Sequence, residues 1–269
     1  MRALVPWTLI AAALGACDRA SAARPEAPGA AAAQRASAQP SAPVPSLAPA
    51  DTPVIAIDPG HPSETSAGTS HHGVAEVQVA WQVAERLRDL LAAEGYRVVM
   101  TKTRVDQVVH NEERARIANR AGAALMVRLH CDAAAGSGFA LYHPDRKGTV
   151  RGVTGPADSV IAASRRAAEA LHGGMAEVLR GTLHDGGIRG DSRTAVGARQ
   201  GALTGSIFSE VPVVTIEMVV LTSRSDAAFI ASDSGQAQMA RAIAAGVQRF
   251  VPLTAPSAPA GRDSTPQGR

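Results

Sequence analysis

Short apolar runs alternate along the chain with longer segments in which apolar residues recur at every third or fourth position. Such runs are typical of buried strands, and the three- and four-residue spacing is typical of helices with one buried face. The predicted strands are 53–57, 96–101, 124–129, 139–142 and 211–220, and the predicted helices are 75–94, 111–121, 158–180 and 234–250. This alternation predicts an α/β fold with a mixed, largely parallel central sheet that is flanked by helices, in a single catalytic domain.

The periodic pattern stops near both ends of the chain, where the composition changes. Residues 18–50 are dominated by Ala, Pro and Ser, which is typical of a disordered linker, and 254–269 form a tail of similar composition. The predicted domain is therefore 51–253. The net charge is +3 and no basic cluster is interleaved with aromatic residues, which argues against nucleic acid as a partner.

The first 17 residues have the pattern of a bacterial export signal. Arg2 supplies a positive charge, an apolar stretch follows at 3–14, and Leu-Gly-Ala precedes Cys17 in a sequence that resembles a lipobox. Cys17 is therefore the predicted lipidation site and membrane anchor, and the predicted location is the cell envelope, facing the periplasm. An ordinary cleaved signal, with its site at 20–22, is the alternative and predicts a soluble periplasmic or secreted protein.

Three predicted strands lead into polar side chains. The first strand is followed by Asp58 and then His61, the strand at 124–129 by His130, and the last strand leads into Glu217. Ligands of open α/β sheets bind at the carboxyl ends of strands, so these side chains are expected to converge. Glu217 interrupts an apolar run, and a buried carboxylate is costly unless it is paired or used. A buried ion pair is the alternative interpretation of Glu217.

Glu76, near the start of the helix 75–94, completes a candidate metal site with the two histidines. Two neutral imidazoles and one carboxylate suit Zn²⁺ and leave a fourth position for water. Taken singly, His61 is also typical of a solvated loop, His130 of a core histidine, and Glu76 of charge compensation at a helix N-terminus. Cys131 could be a zinc thiolate, but neighbours on a strand point to opposite faces, so it is predicted to be a small core residue.

The order and spacing of these residues resemble the zinc-dependent N-acetylmuramoyl-L-alanine amidases. That family carries Asp-Pro-Gly-His after a strand, a ligand Glu further along, an Arg-x-x-x-Ala-Asn helix, a Ser-x-His-x-Asn/Asp motif and a Glu at the end of a late strand. The matching positions here are 58–61, Glu76, Arg114 with Ala118 and Asn119, 128–132, and Glu217. The likeness spans about 53–250, nearly the whole predicted domain.

The resemblance implies an enzyme that hydrolyses the amide between the lactyl group of N-acetylmuramic acid and L-alanine in peptidoglycan. It implies that His61, Glu76 and His130 hold Zn²⁺. Glu217 then takes a proton from water and passes it to the leaving amine. The alternatives are another zinc peptidase that acts on cell-wall peptides, and a non-catalytic peptidoglycan-binding lipoprotein. Glu217 argues against the second alternative, because a binding module has no need of it.

The sequence departs from the family pattern around the predicted site. Pro62 and Ser63 stand where the family has Gly-Gly, Arg128 replaces the Ser before the second histidine, and 219–223 differ from the usual Gly-Phe and Ser-Asn. None of these changes removes a predicted ligand, but the rim of the pocket is expected to differ.

A long Gly-rich segment, 181–205, is predicted to be irregular and to form a pocket wall or lid. His184 and Arg189 within it are candidates for binding substrate carboxylates. His71 and His72 lie in a Gly/Ser-rich stretch and are predicted to be solvated loop residues, with substrate contact or metal binding as alternatives.

Overall fold

Residues 52–253 are described by a computed structural model of the protein, and strands and helices alternate through them. The strands, in chain order, are β1 (Val54–Pro59), β2 (Ser70–His71), β3 (Val74–Ala75), β4 (Arg97–Met100), β5 (Leu125–Asp132), β6 (Phe139–His143), β7 (Gly148–Val150), β8 (Val153–Gly155), β9 (Asp185–Gly190) and β10 (Val213–Val220). The α-helices are α1 (Glu76–Glu94), α2 (Asn111–Arg120), α3 (Asp158–Leu179), α4 (Ala195–Gln200), α5 (Thr204–Ile207), α6 (Arg224–Ala231) and α7 (Asp233–Phe250).

Six of these strands form the central sheet, in the order β4-β1-β5-β10-β6-β9. β4, β1, β5 and β10 run parallel to one another, β6 is antiparallel to β10, and β9 is parallel to β6. β2 with β3, and β7 with β8, form two separate hairpins. The predicted α/β fold with a mixed, largely parallel sheet is therefore confirmed.

Alternate residues of each strand face opposite sides of the sheet, and this divides the core into two layers. Ile55 and Ile57 of β1 belong to the larger buried cluster, with α1, α3 and α7. Val54 and Ala56 belong to the smaller one, with Ala118 of α2. The active-site candidates on β1, β5 and β10 face the same side of the sheet as this smaller cluster, because they lie an even number of positions from its members on each strand.

Small residues compensate for the scarcity of aromatic side chains, which make up only 3% of the chain. Helices α3 and α7 meet at Gly174 and Gly246, where a Cβ on Gly174 would lie 2.4 Å from the backbone nitrogen of Gly246. The two backbones can therefore pack directly against each other, and larger side chains are not needed to fill the space between them.

Two local features differ from the sequence prediction. Helix α6 was not predicted, and Ser232 in an extended conformation separates it from α7. The segment 181–205 is not irregular, because it contains β9, α4 and the start of α5. Its strand sequence, Asp-Gly-Gly-Ile-Arg-Gly, lacks the apolar alternation from which a strand is predicted.

The predicted signal with Cys17, the linker 18–50 and the tail 254–269 lie outside the described residues. Among the helices within 52–253, none combines the length and the hydrophobicity that crossing a bilayer requires.

Candidate active site

Three separate segments bring His61, Glu76 and His130 together. His61 follows β1 by two residues and has a φ of 50°, Glu76 is the first residue of α1, and His130 lies within β5. One potential ligand atom from each residue lies within 4.8 Å of the other two. The three residues that the sequence predicts as metal ligands are therefore neighbours in space.

A single carboxylate oxygen of Glu76 lies between the two imidazoles. Oε1 of Glu76 is 3.4 Å from Nε2 of His61 and 3.0 Å from Nδ1 of His130. The two rings are nearly perpendicular, at 88°, and their centroids are 5.0 Å apart. Two ring nitrogens and a carboxylate oxygen in this arrangement can hold a metal ion.

Backbone N–H groups also orient Glu76, which is only 3% exposed. Thr69 donates to its Oε2 at 3.0 Å, and Cys131 donates to its Oε1 at 3.1 Å. Burial alone would raise the pKa of Glu76, but hydrogen bonding to His130 and the nearby charges of His130 and His61 lower the pKa below its usual value. The carboxylate is thereby kept ionised, as a metal ligand must be.

His61 is held in the form that a metal requires. Its Nδ1 lies 3.3 Å from the carbonyl oxygen of Ser66, to which it can donate, while Nε2 faces Glu76. Burial, and then the proximity of His130, lower the pKa of His61, which favours the neutral imidazole that ligates metals. Gly60 permits the close approach of the two rings, because a Cβ there would lie 2.5 Å from Cε1 of His130.

Glu217 lies on β10 directly beside His130, its register partner on β5. Both side chains therefore face the same side of the sheet. Oε2 of Glu217 is buried and has no hydrogen-bond partner within 52–253. Burial, and then the charges of Glu76 and Asp132, raise the pKa of Glu217 well above its usual value, and Arg128 opposes this rise only in part. A carboxyl group in such surroundings is typical of a functional site.

Strand β5 continues past His130, so this residue lies within the strand and not after it, contrary to the prediction. Glu217 lies within β10, inside the predicted strand 211–220. Continuation of β5 turns Cys131 to the opposite face, where it is 4% exposed within the main core. Burial raises the pKa of this thiol well above its usual value. The prediction that Cys131 is a core residue is confirmed.

A buried ionic network lies beside the candidate metal site and is centred on Asp58 of β1. Arg114 donates to Oδ1 of Asp58 at 2.6 Å, Arg128 donates to Oδ2 at 2.9 Å, and the hydroxyl of Thr101 donates to Oδ1 at 2.5 Å. Burial alone would raise the pKa of Asp58, but the two guanidinium groups hold it well below its usual range. Asp58 is therefore ionised and fully partnered.

Arg114 connects this network to the loop that carries His61. Besides the carboxylate, it donates at 2.7 to 3.0 Å to three backbone carbonyl oxygens, those of Val109, Pro59 and Pro62. The sequence identified Arg114 only through its place in a motif. Its carboxylate partner was missed because the two residues are 56 positions apart.

The histidines and Glu217 line a cavity of about 550 Å³, a size that suits a small-molecule or peptide ligand. Residues within 194–204, in α4 and directly beside it, also line the cavity, among them Thr194, Arg199 and Leu203. The prediction that the segment 181–205 contributes a pocket wall is therefore confirmed, although the wall is regular in structure.

Three arginines lie along the cavity: Arg128, Arg151 and Arg199. Glu64 and Glu217 are the acidic residues among its lining within the described chain. Arginines in excess over carboxylates favour an anionic ligand, because guanidinium groups bind carboxylates and phosphates through paired N–H donors.

The remaining sequence candidates lie elsewhere. Neither His184 nor Arg189 lines this cavity. Arg189 contacts it indirectly, because it donates at 3.0 Å to the hydroxyl of Tyr142, a lining residue. His71 pairs in the β2–β3 hairpin and His72 lies in its turn, where its ring contacts the carbonyl oxygen of Thr222, so the two are not free loop residues.

Comparison with known proteins finds relatives that are N-acetylmuramoyl-L-alanine amidases. The AmiC amidase of Neisseria meningitidis is 25% identical over 227 residues, which cover 74% of this chain and 53% of that protein. The AmiC amidase of Escherichia coli is 31% identical over 140 residues, 49% of this chain and 32% of that protein. The chain thus matches about half or less of the length of these relatives.

Solved structures share the fold. The AmiC2 amidase of Nostoc punctiforme has a TM-score of 0.59 at 23% identity, with 74% of this chain and 96% of that chain covered. Ami1 of Mycobacterium smegmatis has a TM-score of 0.62 at 21% identity, with the same coverage of both chains. The family model for N-acetylmuramoyl-L-alanine amidases matches residues 55–249, which include both histidines, Glu76 and Glu217. By this match, which spans almost all of the described fold, the chain belongs to the N-acetylmuramoyl-L-alanine amidase family.

Proposed function

We propose that this protein is a zinc-dependent hydrolase that cuts the amide between the lactyl group of N-acetylmuramic acid and the first L-alanine of the peptidoglycan stem. One observation carries the proposal. His61, His130 and Glu217 line one cavity, Glu76 lies between the two histidines, and His130 and Glu217 are register partners in the sheet.

The donor set supports zinc as the metal. Two imidazoles and one carboxylate are ligands of catalytic zinc sites, which keep one further position open. His61, Glu76 and His130 would hold the ion through Nε2, Oε1 and Nδ1, the three atoms that face one another. Bound zinc would polarise the scissile carbonyl and lower the pKa of a water molecule.

Glu217 is the proposed proton carrier of the reaction. Its raised pKa makes it a stronger base than an exposed carboxylate, so it can take a proton from the attacking water and then donate it to the leaving amine of L-alanine. The unpartnered Oε2 supports this role, because no neighbour in the described chain competes for the proton.

The proposal includes a location in the cell envelope. Cys17 would carry a lipid anchor, and residues 18–50 would form a linker between this anchor and a domain at 51–253 that faces the periplasm. Support comes from the Leu-Gly-Ala-Cys pattern and from the Ala/Pro/Ser-rich composition that follows it. Changing Cys17 to Ser should move the protein from the membrane to the soluble envelope fraction, and a wild-type protein that is already soluble contradicts the anchor.

The proposed function is tested by incubating the purified protein with defined muropeptides and identifying the products by mass spectrometry. An amidase releases a peptide with a free L-alanine amino group and leaves the lactyl carboxylate on the sugar. Cleavage within the stem would identify a peptidase instead, and binding without any product would identify a wall-binding protein. Chelator should abolish cleavage, and added Zn²⁺ should restore it.

A further inference from the structure

Arg128 lies on the floor of the cavity, two residues before His130 on the same face of β5. In the sheet it is paired with Thr215 of β10, just as His130 is paired with Glu217. The Cα atoms of residues two apart on a strand are separated by about 6.6 Å. Arg128 is therefore one side-chain row away from the candidate metal centre.

Two of the three nitrogens of this guanidinium group are engaged within the protein. Nε donates to Oδ2 of Asp58, and Nη2 donates to Oδ1 of Asn111, both at 2.9 Å. Nη1 has no acceptor among the described residues, and it is not completely buried. Gly205 lies against this guanidinium group, and a larger residue would crowd it, since a Cβ at Gly205 would lie 2.8 Å from Nη1.

Arg114, the other arginine on Asp58, is completely buried and has an acceptor for each of its three nitrogens, whereas Arg128 is 3% exposed and has acceptors for two. Asp58 carries one negative charge, and its two arginine partners carry two positive charges. Asp58 therefore leaves one positive charge of these three residues unbalanced. Asp191 and Glu217 are close enough for electrostatic interaction with Arg128, but neither accepts a hydrogen bond from it.

We propose that Nη1 of Arg128 binds a carboxylate of the substrate, namely the free α-carboxylate of the second stem residue, a D-glutamyl residue linked through its side chain. This inference rests on the proposed function. In an extended stem, that carboxylate lies about 6 Å from the scissile amide, because consecutive Cα atoms are about 3.8 Å apart. This is close to the spacing of about 6.6 Å between the Cα atoms of Arg128 and His130. The amidase pattern has Ser at this position, so the subsite is a feature of this chain.

The experiment compares two muropeptides that differ only at the second residue, where the α-carboxylate is either free or amidated. A charge-assisted hydrogen bond to a largely buried guanidinium group makes the expected preference of the wild-type protein for the free acid about 10- to 100-fold in kcat/KM. Changing Arg128 to Ser should remove this preference by slowing the acid substrate, and Arg128→Lys should retain part of it. Arg165→Gln, which removes an exposed charge on α3 outside the cavity, should keep the preference.

The outcomes separate the two levels of the proposal. If the wild-type protein cleaves neither muropeptide, the proposed function fails. If it cleaves both at equal rates, the amidase assignment stands and the carboxylate subsite is wrong. This result comes from the wild-type protein alone, so it does not depend on whether a variant folds. If Arg128→Ser slows both substrates equally, Arg128 acts on Glu217 or on the fold and not on the carboxylate. A preference that follows amidation of the third stem residue instead would also overturn the assignment.

Discussion

Asp58 and Glu217 are two carboxyl groups on the same sheet, one completely buried and one partly exposed, and their surroundings are opposite. Asp58 accepts hydrogen bonds from two arginines and a threonine, and its pKa is held well below its usual range. Glu217 has a buried oxygen without a partner in the described chain, and its pKa is raised well above its usual value. Removing either carboxylate from water costs free energy, but only for Asp58 do neighbouring charges and hydrogen bonds offset this cost.

The difference teaches how to separate structural from functional carboxylates in this fold. A paired carboxylate contributes to stability, and its loss leaves buried charges without a partner. An unpaired carboxyl group that faces a cavity contributes little to stability, so its presence indicates a chemical role. The comparison predicts different results for the two substitutions: changing Asp58 should lower stability, and changing Glu217 should lower turnover.

The largest effect is expected at the proposed metal centre, where His130 and Cys131 are neighbours with opposite proposed roles. Changing His130 to Ala should remove the bound metal and reduce amide hydrolysis to the assay background, because a catalytic zinc site needs its three protein ligands. Changing Cys131 to Ala should leave metal content and turnover near those of the wild type, because its thiol faces the core. Metal analysis and turnover on both variants provide the check. Full metal content in His130→Ala would exclude this residue as a ligand.

Next in size is the effect of Asp58 on folding. Asp58→Asn leaves Arg114 and Arg128 buried beside a neutral group, so the free energy of unfolding should fall by about 3–5 kcal/mol, the usual cost of breaking a buried ion pair. Urea unfolding of the two proteins measures this difference. An unchanged unfolding midpoint would mean that the network around Asp58 does not stabilise the fold.

The same residue predicts how stability depends on pH. The pKa of Asp58 is lowered in the folded protein, so its contribution is complete above the pKa of an unfolded aspartate, about 4, and is lost as the pH falls through the folded pKa. The gap in melting temperature between the wild type and Asp58→Asn should therefore narrow on acidification below about pH 4. A gap that is constant between neutral and acidic pH would contradict an ionised Asp58.

The smallest effect is expected at an exposed ion pair. Lys147 and Asp158 are 2.9 Å apart, but their side chains are 48% and 83% exposed. Lys147→Gln should change the free energy of unfolding by less than about 1 kcal/mol, because solvent screens the pair. A loss as large as that of Asp58→Asn would show that burial is not what distinguishes these pairs.

The parts of the molecule that the sequence predicted are those with a strong local pattern. Apolar periodicity predicted the positions of β1, β5, β10 and α1. The convergence of His61 and His130 followed from the positions of β1 and β5. Glu217 was identified because a charge inside an apolar run is conspicuous even without a structure.

What the sequence did not predict depends on contacts between distant segments. The pairing of Asp58 with Arg114 and Arg128 joins three elements, and no spacing along the chain indicates it. β9 was missed because its glycines lack side chains whose alternation could be followed, and its pairing with β6 determines it instead. Arg128 was noted only as a departure from a motif, while its place on the cavity floor depends on the register of β5 and β10.

The most direct test of the account is Glu217→Gln, measured for turnover, metal content and thermal stability on one preparation. Gln keeps the size of the side chain but cannot accept the proton, so turnover on muropeptides should fall by about 10²- to 10⁴-fold. Metal content should be unchanged, and the melting temperature should stay the same or rise, because a partly buried carboxyl group with an unpartnered oxygen has been removed. A stable, metal-loaded variant that cleaves at nearly the wild-type rate would contradict the role of Glu217.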